Sequence, residues 1–449
     1  MESKNFDIII IGAGPGGYLA AERAGMRGEK VLLIEKDDQL GGVCLNRGCI
    51  PTKALLNTAK ILHKAQHSTT FGINVTDARY DLHRAMAWKK QVVATLTKGV
   101  DYQMKKHHVM VVHGHGQIKD RNAVLVDDVE YKCQHLIIAT GSSPSKPSVP
   151  GIELNHVMTS DEILEIDKIP GKLVVIGGGV IGLEFASLFS MLGTKVTVIE
   201  MLPEILPNFD KDLAMQLRKA MDKCHFITNA RVIKIDQKTV SYSKNDEQFN
   251  VETDVVLIAT GRTPNLTGYG LENLNLDLSR TGIRVDEKMR TNIPNVYAIG
   301  DVNGKSLLAH SAYRMGEVAV NVICGDEDRM RYNAIPWIVY SDPEISCVGI
   351  TADQAQKENR VVKTASLQLR ANGRFLAEHG NDRGLCKVIV DAQTDALIGV
   401  SILGGNNSEI IYGAAAMIEA ELRVKDIKDI IFPHPTISEI IKDTIWELN

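Results

Sequence analysis

The feature that most constrains this chain is a unit that occurs twice. Phe6–Ile11 ends in a β-branched run, as expected of a parallel strand buried on both faces. It feeds into GAGPGG, where Gly12, Gly14 and Gly17 take the G-x-G-x-x-G positions, followed by a helical stretch over 18–28, a strand over 30–34 and Glu35. Leu173–Ile176 opens the same series again: GGGVIG with Gly177, Gly179 and Gly182, a helix to Leu192, a strand over 195–199, and Glu200. The acid stands at the same distance from the first glycine in both copies. Such glycines allow a tight turn and close approach to a pyrophosphate seated on the helix N-terminus, while the acid accepts from a ribose hydroxyl. Two dinucleotides are therefore expected. Glu200 would repel a 2′-phosphate, and no Arg or Lys stands between it and Lys211, which favours NAD over NADP on the second copy.

Each copy leads to a later strand ending in one turn, LIIATGSSP at Leu136–Pro144, with Gly141, and LIATGRTPN at Leu257–Asn265, with Gly261. A third apolar strand, Tyr297–Asp301, ends in an acid, which places Asp301 at the carboxyl edge of a sheet where α/β proteins hold ligands. Its plainer role is to cap the following helix. From Tyr332 onward the pattern changes to antiparallel strands over 363–369, 385–391 and 396–403, then helices over 407–422 and 424–430, with no glycine fingerprint. The expected fold is α/β: two Rossmann-like nucleotide-binding domains, over 1–142 and 143–264, a segment over 265–331 completing the first, and a C-terminal α+β domain over 332–449 for assembly. A chain of 449 residues suits about three domains. A net charge of −4 offers no basic footprint for nucleic acid or a membrane surface. The longest uncharged stretch, Ile8–Ala21, is too short and glycine-rich to span a bilayer. The chain reads as cytoplasmic.

Cys44 and Cys49 stand in GGVCLNRGCIPTK. Five residues of straight helix rise about 7.5 Å, beyond the usual disulfide limit of about 6.8 Å. A bridge between them requires a distorted helix, and Gly48 is placed to absorb the distortion. A redox pair, a structural disulfide, half of a metal site and two unpaired thiols all remain open, although no second Cys or His pair has ligand spacing. The other five cysteines are scattered, which suits a reducing compartment. Arg47, between the two, is expected to favour thiolate over thiol.

Near the end, FPHPTISEII holds His434 between Pro433 and Pro435, which restrict its backbone. Glu439 can fix one ring nitrogen and leave the other as a base. Thr436 and Glu439 also have capping-box spacing, so the acid has a purely structural role open to it.

Taken together, these residues resemble the pyridine nucleotide-disulfide oxidoreductases, in the branch that oxidises dihydrolipoyl groups. The likeness covers essentially the whole chain: the first fingerprint with Glu35, GGVCLNRGCIPTKALL at 41–56, both ATG turns, GGGVIGLEFAS at 177–187, AIGDV at 298–302, LAH at 308–310 and HPTISE at 434–439. It implies FAD on Gly12, Gly14, Gly17 and Glu35, with Gly141, Asp301 and Ala309, and NAD on Gly177, Gly179, Gly182, Glu200 and Gly261. It implies that Cys44 and Cys49 are the redox disulfide, Cys49 facing the flavin and Cys44 exchanging with substrate. Lys53, paired with Glu184, would lie beside the reactive flavin nitrogen. His434 with Glu439 would be the base contributed by the second subunit of a homodimer. The implied activity passes electrons from lipoyl-bearing proteins of 2-oxo acid dehydrogenase or glycine cleavage assemblies to NAD. The alternatives are an NAD(P)H-dependent reductase of another small disulfide and a flavin-binding redox sensor without turnover.

Overall fold

Ile8, Ile9 and Ile10 have no exposed surface, and the strand that carries them, Lys4–Ile11, lies in the middle of a parallel sheet. The structure is a computed structural model describing residues 4–448. In its first unit, built from residues 1–54, 83–145 and 262–331, Lys4–Ile11 pairs in parallel with Val31–Glu35 on one side and Val129–Ile138 on the other. Met110–His113 extends the sheet beyond Val31–Glu35, and Val296–Ala298 pairs in parallel with Val129–Ile138. The strands Ala123–Val126 and Gln117–Asp120 continue it in antiparallel fashion. The fingerprint helix Pro15–Met26 packs on the helix Ala309–Ile323. Small residues permit this approach: a Cβ on Gly316 would stand 2.9 Å from the Gly16 carbonyl oxygen.

The second unit, residues 55–82, 146–261 and 332–449, repeats the theme. Lys172–Ile176, Lys195–Ile199, Cys224–Ile227, Val255–Ile258 and Val157–Met158 form a five-stranded parallel sheet. The helix Val180–Met191 covers it with a largely buried apolar sequence. A three-stranded antiparallel sheet over 231–252 is inserted before the last long strand; nothing in the sequence reading anticipated it. The C-terminal part is a five-stranded antiparallel sheet in the order 337–339, 345–349, 397–403, 385–391, 362–368. Ile411, Ile418, Ile440, Ile441 and Ile445, from the helices Asn407–Glu419 and Glu439–Trp446, belong to its core. The fold is the expected α/β class with a C-terminal α+β domain. The second unit is tied internally by a buried ion pair: Lys387 Nζ donates to Asp210 Oδ1 at 2.9 Å, and Ser401 Oγ to Asp210 Oδ2 at 2.8 Å.

Candidate active site

Both fingerprints close in the same way. Gly12 takes φ +101, and a Cβ on Gly17 would stand 1.8 Å from the Gly12 carbonyl oxygen, so no side chain fits where the strand turns into the helix. In the second copy Gly177 takes φ +112, and a Cβ on Gly182 would stand 2.1 Å from the Gly177 oxygen. Glu35, buried at the end of its strand, accepts the Ala13 N–H on Oε2 at 2.7 Å and the Asp37 N–H on Oε1 at 3.0 Å. Glu200 repeats this geometry with the N–H groups of Gly178 at 2.6 Å and Leu202 at 2.7 Å. Gly14 and Gly179 are the N-caps of the two helices, and no side chain caps either among the described residues. The first N–H groups of each helix are thus available to an anion. This donor set, with an acid held at each strand end, fits two dinucleotides.

The cysteine segment is seated on the first fingerprint. Gly41 N–H donates to the Ala13 carbonyl at 2.8 Å, and a Cβ on Gly42 would stand 2.5 Å from the Gly14 Cα. One helix, Gly42–Arg47, carries Cys44; a second, Cys49–Gln66, begins with Cys49. They are separate because the chain breaks at Gly48, where a Cβ would stand 2.8 Å from the Val43 carbonyl oxygen. The expected distortion is therefore a full interruption. The two thiols are unbridged and share a hydrogen bond. That hydrogen bond, and then burial, push the Cys44 thiol well above its ordinary range, while the Lys53 ammonium pulls it down. Lys53 lies one turn along the second helix from Cys49.

Arg47, expected to favour thiolate, donates to Asp37 Oδ2 at 2.8 Å, and the Lys53 ammonium is a cation that lowers the Cys44 thiol. Asp301 departs from its plainer expectation. It does not cap the next helix; it accepts from Ser142 Oγ at 2.5 Å. Arg262 donates through Nε to the same hydroxyl at 2.7 Å. Burial raises the Asp301 carboxyl, against that hydroxyl and the nearby guanidinium. Gly141 and Gly261, in the two ATG turns, both take positive φ, +68 and +108. Ala309 is the first residue of the helix Ala309–Ile323.

Beside Cys44, within the first unit, lies a cavity of about 350 Å³, whose walls include Tyr18, Glu22, Leu96, Gln103 and Tyr313. Tyr18 and Tyr313 hydrogen-bond through their hydroxyls, with ring centroids 5.9 Å apart. None of these five residues was singled out from the sequence. Tyr18, directly behind the fingerprint, carried a positional hint; Tyr313 and Gln103 lie on helices whose pairing a single sequence does not disclose.

In the second unit Glu184 is buried on the helix Val180–Met191 and accepts the Tyr340 N–H at 3.2 Å. Lys53, its expected partner, belongs to the first unit. His434 and Glu439 are brought together: His434 Nδ1 lies 3.0 Å from Glu439 Oε1. Thr436 N–H donates to Glu439 Oε2 at 2.9 Å, so the acid also serves the turn. The His434 side chain is 81% exposed. Among the described residues there is no group of three or more potential metal ligands, and no helix is long and apolar enough to cross a membrane.

Known proteins are similar to this chain over nearly its whole length. The model of the pyridine nucleotide-disulphide oxidoreductases matches residues 6–316, and that of their dimerisation domain matches residues 335–445. The dihydrolipoyl dehydrogenase of Geobacillus stearothermophilus is 39% identical over 446 residues, 97% of this chain and 94% of its own. Mitochondrial dihydrolipoyl dehydrogenase 1 of Arabidopsis thaliana is 37% identical over 458 residues, 98% of this chain and 90% of its own. Among solved structures, the HOCl-induced flavoprotein disulfide reductase RclA from Escherichia coli superimposes with a TM-score of 0.87 at 29% identity, covering 98% of this chain and 99% of its own.

Proposed function

The chain belongs to the pyridine nucleotide-disulphide oxidoreductase family, and we propose that within it the chain is a dihydrolipoyl dehydrogenase, oxidising dihydrolipoyl groups on partner proteins with NAD as acceptor. The observation that carries this reading is the helix break at Gly48, which brings the Cys44 and Cys49 thiols within hydrogen-bond reach beside a cavity. The relatives named dihydrolipoyl dehydrogenase support the substrate.

The cofactors are FAD and NAD. Gly12, Gly14, Gly17 and Glu35 would hold FAD, with Gly141, Asp301 and Ala309 along it; Gly177, Gly179, Gly182, Glu200 and Gly261 would hold NAD. FAD, when bound, takes an electron pair from the enzyme dithiol and yields it to NAD as hydride. The protein's own part is thiol chemistry. A substrate thiol must ionise before it attacks, because the thiolate is the nucleophile. Glu439 holds the proton of His434 on Nδ1, leaving Nε2 to take that of the substrate. The exposure of His434 suits its presentation to the site of a second copy of the chain, through the dimerisation domain. The substrate thiolate attacks Cys44 of the disulfide and releases Cys49 as thiolate; the second substrate sulfur then displaces Cys44 and closes the oxidised ring. Cys44, whose thiol is held above its ordinary range by the hydrogen bond with Cys49 and by burial, keeps the proton of the resulting dithiol. Lys53, whose charge lowers the Cys44 thiol, would stabilise the Cys49 thiolate one turn away, and Glu184 is proposed as its partner.

The test is steady-state reduction of NAD by dihydrolipoamide with the FAD-loaded enzyme. The likeness to RclA favours a second reading, an NAD(P)H-dependent reductase of another small disulfide. Faster NADH oxidation with other disulfides than with lipoamide would favour that reading.

A further inference from the structure

We propose that His63 and His67 form a two-histidine site for a divalent transition-metal ion, held most tightly as copper(II), on the surface of the second unit. The site uses none of the residues assigned to the dihydrolipoyl reaction.

The two residues stand at i and i+4 where the helix Cys49–Gln66 ends, a spacing that puts side chains on one face. The His67 N–H still donates to the His63 carbonyl at 3.2 Å, so helical geometry reaches the second ring. The ring centroids are 4.2 Å apart and the ring planes are inclined at 50°. Two imidazoles so spaced on one helix can hold a single metal ion between them.

Each ring is also held in the tautomer that a ligand needs. His67 Nδ1 lies 2.8 Å from the His63 carbonyl oxygen, which can only accept, so its proton is on Nδ1. His63 Nδ1 lies 3.3 Å from Asp342 Oδ2, and a carboxylate requires a proton there as well. Both Nε2 atoms are left with a lone pair. A carboxylate or carbonyl on the far nitrogen is the usual orienting partner of a metal-binding histidine.

The orienting group is itself fixed. Asp342 N–H donates to Ser187 Oγ at 2.9 Å. One turn before His63, Lys60 Nζ donates to Glu344 Oε1 at 3.0 Å. The end of the helix and the segment 342–344 are thus joined twice within the second unit. His67 is exposed and the His63 side chain is 28% exposed, so an ion can reach both from water. Neutral imidazoles suit nickel(II), zinc and above all copper(II), which stands highest in the Irving–Williams order. No third protein ligand joins the pair among the described residues. Water completes the coordination, which puts the affinity in the micromolar range, weaker than a closed structural site.

The experiment titrates the FAD-loaded full chain with copper(II) chloride, the Cys44–Cys49 disulfide closed so that neither offers a thiolate. Calorimetry and electron paramagnetic resonance follow the binding. The expected result is a micromolar Kd and a spectrum showing two imidazole nitrogens on the ion. His63→Ala and His67→Ala should each weaken binding about tenfold or more and remove one nitrogen from the spectrum. His225→Ala, at an exposed histidine on the strand Cys224–Ile227, should change neither. Thermal scans without copper confirm that each variant is folded. A wild-type spectrum without paired imidazole nitrogens, an affinity unchanged in either His63→Ala or His67→Ala, or an equal loss in His225→Ala overturns the proposal.

Discussion

His434 Nδ1 lies 3.0 Å from Glu439 Oε1, and the second oxygen of that carboxylate accepts the Thr436 N–H at 2.9 Å. One side chain thus orients the imidazole and closes the turn that carries it. The Thr436 N–H, and with it the imidazole, holds the Glu439 carboxyl below the usual range, so it is ionised at neutral pH and requires the proton on Nδ1. Glu439→Gln removes that requirement, because its amide can donate to Nδ1 and leave the proton on Nε2. The kcat for dihydrolipoamide should fall on the order of a hundredfold, with Glu439→Asp intermediate. Steady-state assays, with Tm to confirm folding, check this.

The electrostatics of Cys44 give a second prediction. Lys53 opposes the hydrogen bond and burial that raise this thiol, so Lys53→Met should raise it further. At fixed, mildly alkaline pH, alkylation of Cys44 in the reduced protein should slow about tenfold. Arg47→Val should change the rate much less, since Arg47 is bonded to Asp37. Peptide mapping after timed alkylation measures both.

Gly48→Ala tests the helix break. The added Cβ would stand 2.8 Å from the Val43 carbonyl oxygen and 3.2 Å from the Cys44 Cα, and neither is a flexible side-chain end. The backbone must shift, at a cost of about 1–3 kcal/mol. Calorimetry should show a Tm lower by several degrees, and the reduced protein should re-form its Cys44–Cys49 bridge more slowly.

Acid stability depends in part on Asp391 in the C-terminal sheet. Its Oδ1 accepts the N–H groups of Thr394 and Gln393, each at 3.0 Å, and its Oδ2 accepts from Arg360 at 2.8 Å. The Thr394 N–H first, and the guanidinium after it, hold the carboxyl down to about 2. An unfolded Asp titrates near ~3.9, so the folded value is the lower one. The contribution is complete above that unfolded value and disappears as pH falls toward about 2. Asp391→Asn should lower Tm near neutrality and flatten its decline between about pH 4 and 2, as thermal scans across pH would record.

Much of the fold is legible in the sequence because its elements are local. The strand, glycine turn, helix and acid of each fingerprint lie within one short segment, and the third glycine of each motif, Gly17 or Gly182, is one whose Cβ would strike Gly12 O or Gly177 O. Distortion near Gly48 is expected from helix rise only on the condition that Cys44 and Cys49 come together, since a straight helix holds them too far apart. Glu439 offers two roles in the sequence: its Oε1 lies beside His434 Nδ1 and its Oε2 closes the turn at Thr436, whereas the last helix has Ser438 at its N-cap and no side-chain cap among the described residues. What the sequence withholds is long-range. Tyr18 and Tyr313 are 295 positions apart, and their meeting depends on the packing of two helices. Arg47 reads as a cation beside the thiols, and that Asp37 accepts from its guanidinium is not legible in the sequence. The inserted strands over 239–252 are partly exposed and polar, so their alternation is too faint to register.

The most direct test follows NAD reduction by dihydrolipoamide in FAD-loaded wild type, Cys44→Ser and Cys49→Ser. Turnover in the wild type, and its loss to background in each variant with flavin still bound, is the predicted result. Lipoyl oxidation that persists in either variant would contradict the account.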